Sequence, residues 1–521
     1  MEKANIPAFS ADPQQGFQAI EDIATAYWFS EALFAAVEMG IFAFLEPPGK
    51  SAGQLSRACN ADENALRRLL GALSALGLVC ASPEDVYFNS ALSSRYLAPG
   101  KEDYQGASVL WRKELRPGWA ALKDRLAKGN SPDSNENGHG DESERENAGR
   151  IRKYIMAMDA AARVKIKEIS PILGTLPLEG EMLDAGAGSG AVSAALIERA
   201  PSLRATLMDI PQVLAFTGEI IRERGLADKI DLCPANILDP WPFNSGRFSL
   251  IVLSNIIHAY SEAELPHILK EAAGCLAKDG LVLIHDFFPE HAPAKASLFD
   301  LNMLINTYNG RVFGYGEVKD GLVRAGFHTT GLIPLASDTA LVAAAKDPAV
   351  LSKLHIAPAA RLAARVRQLG FTRVVPVRTE DVQIPGWTGL RCRYGCGNFG
   401  KKPHCPPDAP TPEETKHLLQ KYSKALLLEG EPPSGVFQAN VLKAEREAFT
   451  AGFYKAFSYW AGPCALCKNC ETPCRNPKDA RPSMEGAGID VFETVRRAGL
   501  ELRTLSGRDD FVKYFALLLL E

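Results

Sequence analysis

Residues 180–209 read GEMLDAGAGSGAVSAALIERAPSLRATLMD. An apolar run of strand length ends at Asp184, and glycines then recur at 186, 188 and 190. An alanine-rich helical stretch follows, and a second apolar run closes at Asp209. Glycines at alternate positions let the backbone turn tightly and approach a ligand closely beside a helix N-terminus. Asp209 lies 19 residues beyond Gly190, where a carboxylate can accept hydrogen bonds from both hydroxyls of a ribose. Strand, glycine turn, helix and acidic strand end together define a nucleotide-type site.

Working outward, further strand-like runs occur at SLIVLS and LVLIHD, with helical stretches between them. That alternation from about 151 to 346 predicts an α/β domain with a parallel sheet covered on both faces. Upstream, residues 15–110 read as helices with a small hairpin. Leu66, Leu69, Leu70, Leu73 and Leu76 fall at helical spacing between an N-cap at Asp62 and a stop at Gly77. A short strand at Val86–Phe88 and a helix near Ser90–Tyr96 complete a winged-helix outline. DNA binding through Arg67 and Arg68 is one reading. The leucine-rich helix and its acidic surroundings favour dimerisation instead. The α/β part is placed at 111–346. Within it, 129–150 (GNSPDSNENGHGDESERENAGR) is nearly devoid of apolar residues and is expected to form a mobile insertion. A proline-containing link leads to a last α+β domain over 352–521.

The whole chain has 521 residues, 58 Lys plus Arg against 62 Asp plus Glu, and 46% apolar content. That is the composition of a globular protein of about three domains, with no charge excess pointing to nucleic acid. No apolar run approaches the ~18 residues of a membrane span, and the first residues lack a signal-peptide core, so a cytoplasmic location is expected.

Two cofactors fit the glycine turn. Ala191 stands at the third fingerprint position, which dinucleotide folds tolerate, so spacing alone does not exclude NAD. Asp184 ahead of the loop suits a cofactor with an amino-acid end better than a pyrophosphate, which favours S-adenosylmethionine. Residues ~15–346 resemble the S-adenosylmethionine-dependent O-methyltransferases of the plant caffeate and bacterial hydroxyneurosporene type. The matching text is AVEMGIFAFL, ALRRLLGALSALGLV, MLDAGAGSG, LMDIPQV and IIHAYSEAELPHILKEAAGCLAKDGLVLIHD. The resemblance implies a winged-helix dimerisation domain, a class I Rossmann-like catalytic domain, a homodimer and a small-molecule methyl acceptor. It implies that Gly186, Gly188 and Asp209 bind the cofactor, with Ile237 near the adenine. Asn236 stands where the family commonly has Asp, so a charge is lost there while hydrogen bonding is kept.

His258 follows the run SLIVLSNII, where the resemblance puts a general base. An imidazole titrating near 6.5 can take a proton from a phenol or thiol. Asp286, ending LVLIHD, falls where the family orients that histidine. The second orienting carboxylate of the family is missing: Val312 occupies its place, with Glu317 nearby. Proximity alone, holding an ionised acceptor in line with the methyl group, is the alternative. Phe299 to Phe313 is expected to shape the acceptor pocket, and Ser261 with Glu264 reads as a capping box.

Of eleven cysteines, seven lie from Cys392 onward. They form Cys392-x3-Cys396-x8-Cys405 and Cys464-x2-Cys467-x2-Cys470-x3-Cys474. The second run has bacterial ferredoxin spacing, and a 3+4 set fits a four-ligand zinc site poorly. His404 is read as stabilising its turn. The segments RCRYGCGNFGKKPHCPP, GPCALCKNCETPCRNP and ARPSMEGAGIDVFETV resemble an uncharacterised family of metal-binding proteins common in anaerobes, which implies a metal but no activity. One or two 4Fe-4S clusters are expected. With two, Cys464, Cys467 and Cys470 hold the first, leaving one iron open to an acceptor, and Cys474 joins Cys392, Cys396 and Cys405. The iron–sulfur domain would then bind or activate the acceptor, or stabilise the protein. A redox-responsive winged-helix regulator and an electron-transfer protein with a vestigial methyltransferase half are the competing functions. An intact glycine loop together with His258 and Asp286 argues against both.

Overall fold

The computed structural model describes residues 17–128, 144–174, 176–356, 358–471, 473–500, 502–504 and 513–521. The main break between its two compact units falls between His355 and Ile356. The first unit begins with helices. Asp62 caps the helix Glu63–Ala75 by accepting from Ala65 N–H at 2.8 Å. Leu66, Leu70 and Leu73 on one face are buried, and Gly77, at φ +70°, ends the helix. Strands β1 (Lys50–Ser51), β2 (Val79–Ala81) and β3 (Val86–Asn89) form a small antiparallel sheet in the order β1-β3-β2.

The leucine stripe is consumed inside this domain, so it is not the unpartnered surface that the sequence suggested. Exposed apolar side chains gather instead on the helices Phe17–Thr25 and Tyr27–Glu38, where Phe17 is 76% and Tyr27 and Trp28 are each 59% exposed. Arg67 pairs with Glu63 and Asp85 at the surface.

The catalytic sheet contains β4 (Gly180–Ala185), β5 (Leu203–Asp209), β6 (Ile230–Pro234), β7 (Phe248–Ser254) and β8 (Leu276–Asp286), all parallel. After them come the short β9 (His328–Thr329) and β10 (Ala340–Ala345), and the order across the sheet is β10-β8-β7-β4-β5-β6. Strand β10 runs antiparallel to β8, with Ala340 opposite Asp286, so the expected wholly parallel sheet is in fact mixed. Its run ALVAAA is alanine-rich and has helix-like propensity; complete burial in the sheet overrides that preference.

The division expected at 110 does not separate two compact units. The long helix Glu144–Ile169 packs on the helix Gly106–Glu114, and Trp111, Leu115 and Ala157 share a buried cluster. Residues 144–150 of the expected insertion are the first turns of that long helix, and 129–143 lie outside the described residues.

The second unit is built on β11 (Arg373–Arg378), β12 (Lys424–Gly430), β13 (Phe457–Tyr459) and β14 (Tyr514–Leu519). They form an antiparallel sheet in the order β11-β12-β14-β13. Leu426 and Leu428 enter one core and Leu427 the opposite one, which explains the unbroken apolar run of a sheet covered on both faces. Among the described residues no helix is long and apolar enough to cross a membrane.

An apolar patch on the first two helices is the expected seat of the dimer. Trp28→Glu should convert a dimer to a monomer in light scattering at micromolar concentration, with helicity unchanged by circular dichroism.

Candidate functional site

The carboxyl ends of β4, β5, β7 and β8 meet, which is where open α/β sheets bind ligands. Gly186, Gly188 and Gly190 all have positive φ. A Cβ on Gly186 would lie 2.4 Å from Ile256 Cγ1, so that turn admits only glycine. A Cβ on Gly188 would meet nothing within 4 Å, so that side of the turn faces open space rather than packed protein.

Asp209 ties the turn to β5. Its Oδ2 accepts from Gly188 N–H at 2.9 Å and its Oδ1 from Ile210 N–H at 2.8 Å. Burial raises its pKa against these two donors. Each oxygen keeps further acceptor capacity for a ribose hydroxyl. Asp184 is buried and accepts from Ser193 Oγ at 2.7 Å. Burial pushes its pKa up to about 7, the Ser193 hydrogen bond opposing. Asn236 is exposed, with Oδ1 accepting from Leu238 N–H at 3.0 Å. Ile237 is buried, and its carbonyl accepts from Trp241 Nε1–H at 3.0 Å.

On the other side of the cleft, His258 Nδ1 lies 2.6 Å from Asp286 Oδ1, which also accepts from Phe287 N–H at 2.8 Å. The Asp286 side chain is 1% exposed, and a carboxylate so enclosed accepts from Nδ1–H, which leaves the lone pair on Nε2. No hydrogen-bond partner of His258 Nε2 occurs among the described residues. The rings of Phe287 and Phe299 stack at 3.9 Å, and Phe299 meets the His258 ring edge-on at 4.9 Å.

The missing second carboxylate is not replaced. Val312 is buried, its N–H donating to Asp300 Oδ1 at 2.6 Å, and Glu317 is spent on Gly314 N–H and Arg311. The expected capping box is incomplete. Ser261 N–H and Oγ–H both donate to Glu264 Oε2 at 2.8 Å, and that carboxylate also accepts from Asn309 Nδ2. It therefore braces the loop after His258 instead of closing a reciprocal cap.

Several residues of the cleft carry no sequence signal. Tyr260 is pushed up to about 12 by burial, with Asp209 adding, and Tyr154 is raised by the same two influences. Ile210 stays 43% exposed beside Asp209. Phe287 was within reach of a sequence reading, since it directly follows Asp286.

The cysteines lie in loops and on the short helix Thr388–Gly395. His404 Nε2 is 3.5 Å from Cys474 Sγ, and Lys402 Nζ donates to the Cys464 carbonyl at 3.1 Å. Burial raises the Cys405 thiol, with Cys396, Cys392 and Cys464 adding and Lys402 opposing. Lys402 and His404, just before Cys405, thus each contact the second cysteine run. Among the described residues no three His, Cys, Asp or Glu side chains stand together at metal-binding spacing. Seven thiols are nonetheless a donor set suited to a thiophilic metal.

Comparison with known proteins agrees with this division. Residues 21–99 match the family model of the O-methyltransferase dimerisation domain and 119–328 that of the O-methyltransferase domain. Residues 375–520 match a family described as "Predicted metal-binding protein". The chain is 30% identical over 331 residues to a 3-hydroxy-5-methyl-1-naphthoate 3-O-methyltransferase of Streptomyces sahachiroi, spanning 61% of this chain and 91% of that one. It is 27% identical over 305 residues to a mitomycin biosynthesis 6-O-methyltransferase of Streptomyces lavendulae, covering 55% and 82%. The fold is that of human N-acetylserotonin methyltransferase, solved in complex with S-adenosylmethionine. That likeness has a TM-score of 0.56 and 22% identity over 64% of this chain and 98% of that one.

Because the folded Asp184 holds its proton up to about 7 and the unfolded one only to about 4, ionising it destabilises the fold as pH rises between those values. Asp184→Asn should remove that loss, raising stability at pH 8 relative to the parent by up to a few kcal/mol, on the order of 3–4. The difference should vanish near pH 4. Urea melts of ligand-free protein across this range check it.

Proposed function

Because the chain belongs to the S-adenosylmethionine-dependent O-methyltransferase family, we propose that it methylates an oxygen or sulfur atom of a small acceptor with His258 as base. The observation that carries this reading is the 2.6 Å pair of His258 and buried Asp286, with the Phe299 ring edge-on to the imidazole. When bound, S-adenosylmethionine supplies an electrophilic methyl group on a sulfonium.

The rest falls to the chain. The backbone at Gly186 and Gly188 allows close approach, and Asp209 accepts from the ribose. Ile237 and the free amide of Asn236 flank the adenine. Asp184, once ionised, attracts the cofactor's ammonium end. Asp286 keeps Nδ1 protonated, so that Nε2 takes the acceptor's proton while the rings of Phe287 and Phe299 exclude water and hold a planar body. The naphthoate specificity in the name of the Streptomyces sahachiroi relative supports an aromatic hydroxyl as that acceptor.

We further infer a homodimer through the exposed faces of the first two helices. In the last domain, Cys464, Cys467 and Cys470 are proposed to hold one 4Fe-4S cluster. Cys474 joins Cys392, Cys396 and Cys405 in a second. The closeness of Cys474 to His404, the neighbour of Cys405, supports this sharing. The clusters cross-link loops with little core of their own, and stabilising them is the proposed role.

His258→Asn should lower the single-turnover rate by ~10²-fold or more with S-adenosylmethionine affinity retained; a near-normal rate would favour catalysis by proximity. Asp209→Ala should weaken cofactor binding in calorimetry by about 1–3 kcal/mol. Anaerobically purified protein should carry about eight irons per chain; about four would leave one cluster, and zinc without iron would overturn the assignment.

A further inference from the structure

The helix that carries Phe299 is held from behind. It runs Pro293–Asn306, and the carbonyls of its last turn have no partner within the helix. Arg125, on the helix Leu122–Lys128, donates to two carbonyls at that end. Its Nε–H meets the Leu304 carbonyl at 2.8 Å and its Nη2 group the Thr307 carbonyl at 3.3 Å. Arg125 is only 6% exposed. A guanidinium taken out of water must keep its donors engaged, and its planar fork suits two acceptors at once. Its charge also complements the negative end of the helix macrodipole.

Two further contacts seat the same helix. Trp119 Nε1–H donates to Asn302 Oδ1 at 3.1 Å. A Cβ on Gly118 would lie 2.6 Å from Ile305 Cγ2, so the helix Arg116–Ala120 lies hard against it.

From this anchored end two routes reach His258. Phe299 meets the imidazole edge-on at 4.9 Å. Thr307 Oγ1 accepts from Gly310 N–H at 3.0 Å, and Gly310 is pressed on the main chain of His258, where a Cβ would lie 2.5 Å from the His258 carbonyl oxygen. Arg125 is thus joined to both the ring and the backbone of the residue paired with Asp286. Asp286 is the one carboxylate on that ring among the described residues, with Val312 standing where a second was expected. Packing therefore supplies the remaining restraint.

We propose that Arg125 is a positioning residue for His258. It holds Phe299 and the segment 307–310 so that the imidazole stays aligned with Asp286 and protonated at Nδ1. The inference rests on the reading of His258 as base and deepens it.

Nitrogen NMR of the full chain, purified anaerobically with 15N-labelled histidine, tests it. The ring signals absent from His258→Asn belong to His258. At about pH 9, where imidazoles are neutral, the parent should show His258 predominantly as the Nδ1–H tautomer. Arg125→Met should give comparable shares of both tautomers with circular dichroism unchanged. Arg125→Lys, which can still donate to one carbonyl, should return most of the Nδ1–H form. Gly310→Ala, which pushes on the His258 carbonyl from the same segment, should mix the tautomers as well, and it decides the matter if Arg125→Met does not fold. Affinity of Arg125→Met for S-adenosylmethionine in calorimetry should stay within about twofold of the parent.

A parent-like tautomer in folded Arg125→Met, or in Gly310→Ala where Arg125→Met is unfolded, overturns the proposal. Mixed tautomers in the parent overturn it too. So does a large loss of S-adenosylmethionine affinity in Arg125→Met, since a change that spreads to the cofactor is general loosening. Parent protein that keeps the Nδ1–H tautomer yet fails to bind S-adenosylmethionine would remove the methyltransferase reading, while the variants still decide the link from Arg125 to His258.

Discussion

Three carboxylates stand at or beside the ends of parallel strands, and each must find N–H or O–H donors where water is largely excluded. An unsatisfied buried carboxylate would cost several kcal/mol. Asp209 draws the Gly188 and Ile210 amides to itself, Asp184 takes the Ser193 hydroxyl, and Asp286 takes the Phe287 amide and the His258 ring. Those requirements fix the glycine turn against β5 and aim the imidazole into the cleft. The geometry of the site is therefore largely a consequence of satisfying three buried carboxyl groups.

The same demand separates their chemistry. Asp184 has a hydroxyl donor and deep burial, so it stays protonated up to about 7. His285, one residue before Asp286, is bracketed by Ser254 and Thr339 and is pushed down to about 4 by burial, which keeps it neutral and structural. His258 sits against the Phe299 ring with one nitrogen held by Asp286 and the other without a hydrogen-bond partner among the described residues. Two histidines reached by neighbouring strand ends thus differ in environment, His285 being enclosed and His258 partly open.

The second unit obeys a different constraint. Its sheet is covered on both faces by its own helices and loops, while its cysteines lie in loops and on one short helix, Cys464 packing against the edge of one core. Contacts of Lys402 and His404 with the second run bring the two cysteine groups into one neighbourhood. Spacing alone left the relation between the groups open.

The sequence by itself determined the glycine turn, Asp209 and the four principal parallel strands, because each is written in local periodicity or in a motif whose backbone demands particular residues; the His258–Asp286 pairing was implied by the family resemblance alone. The sequence also determined the boundaries of the leucine helix through Asp62 and Gly77. Only the tertiary structure decided that the leucine stripe is internal and the apolar surface lies on the first two helices, since burial depends on what packs against a face. Tertiary contacts likewise turned ALVAAA into an antiparallel strand against its propensity, and brought Tyr154 to the cleft from a segment without any motif. Strand ends and turns are local and legible; the walls of a cleft are assembled from distant segments, and no spacing rule records them.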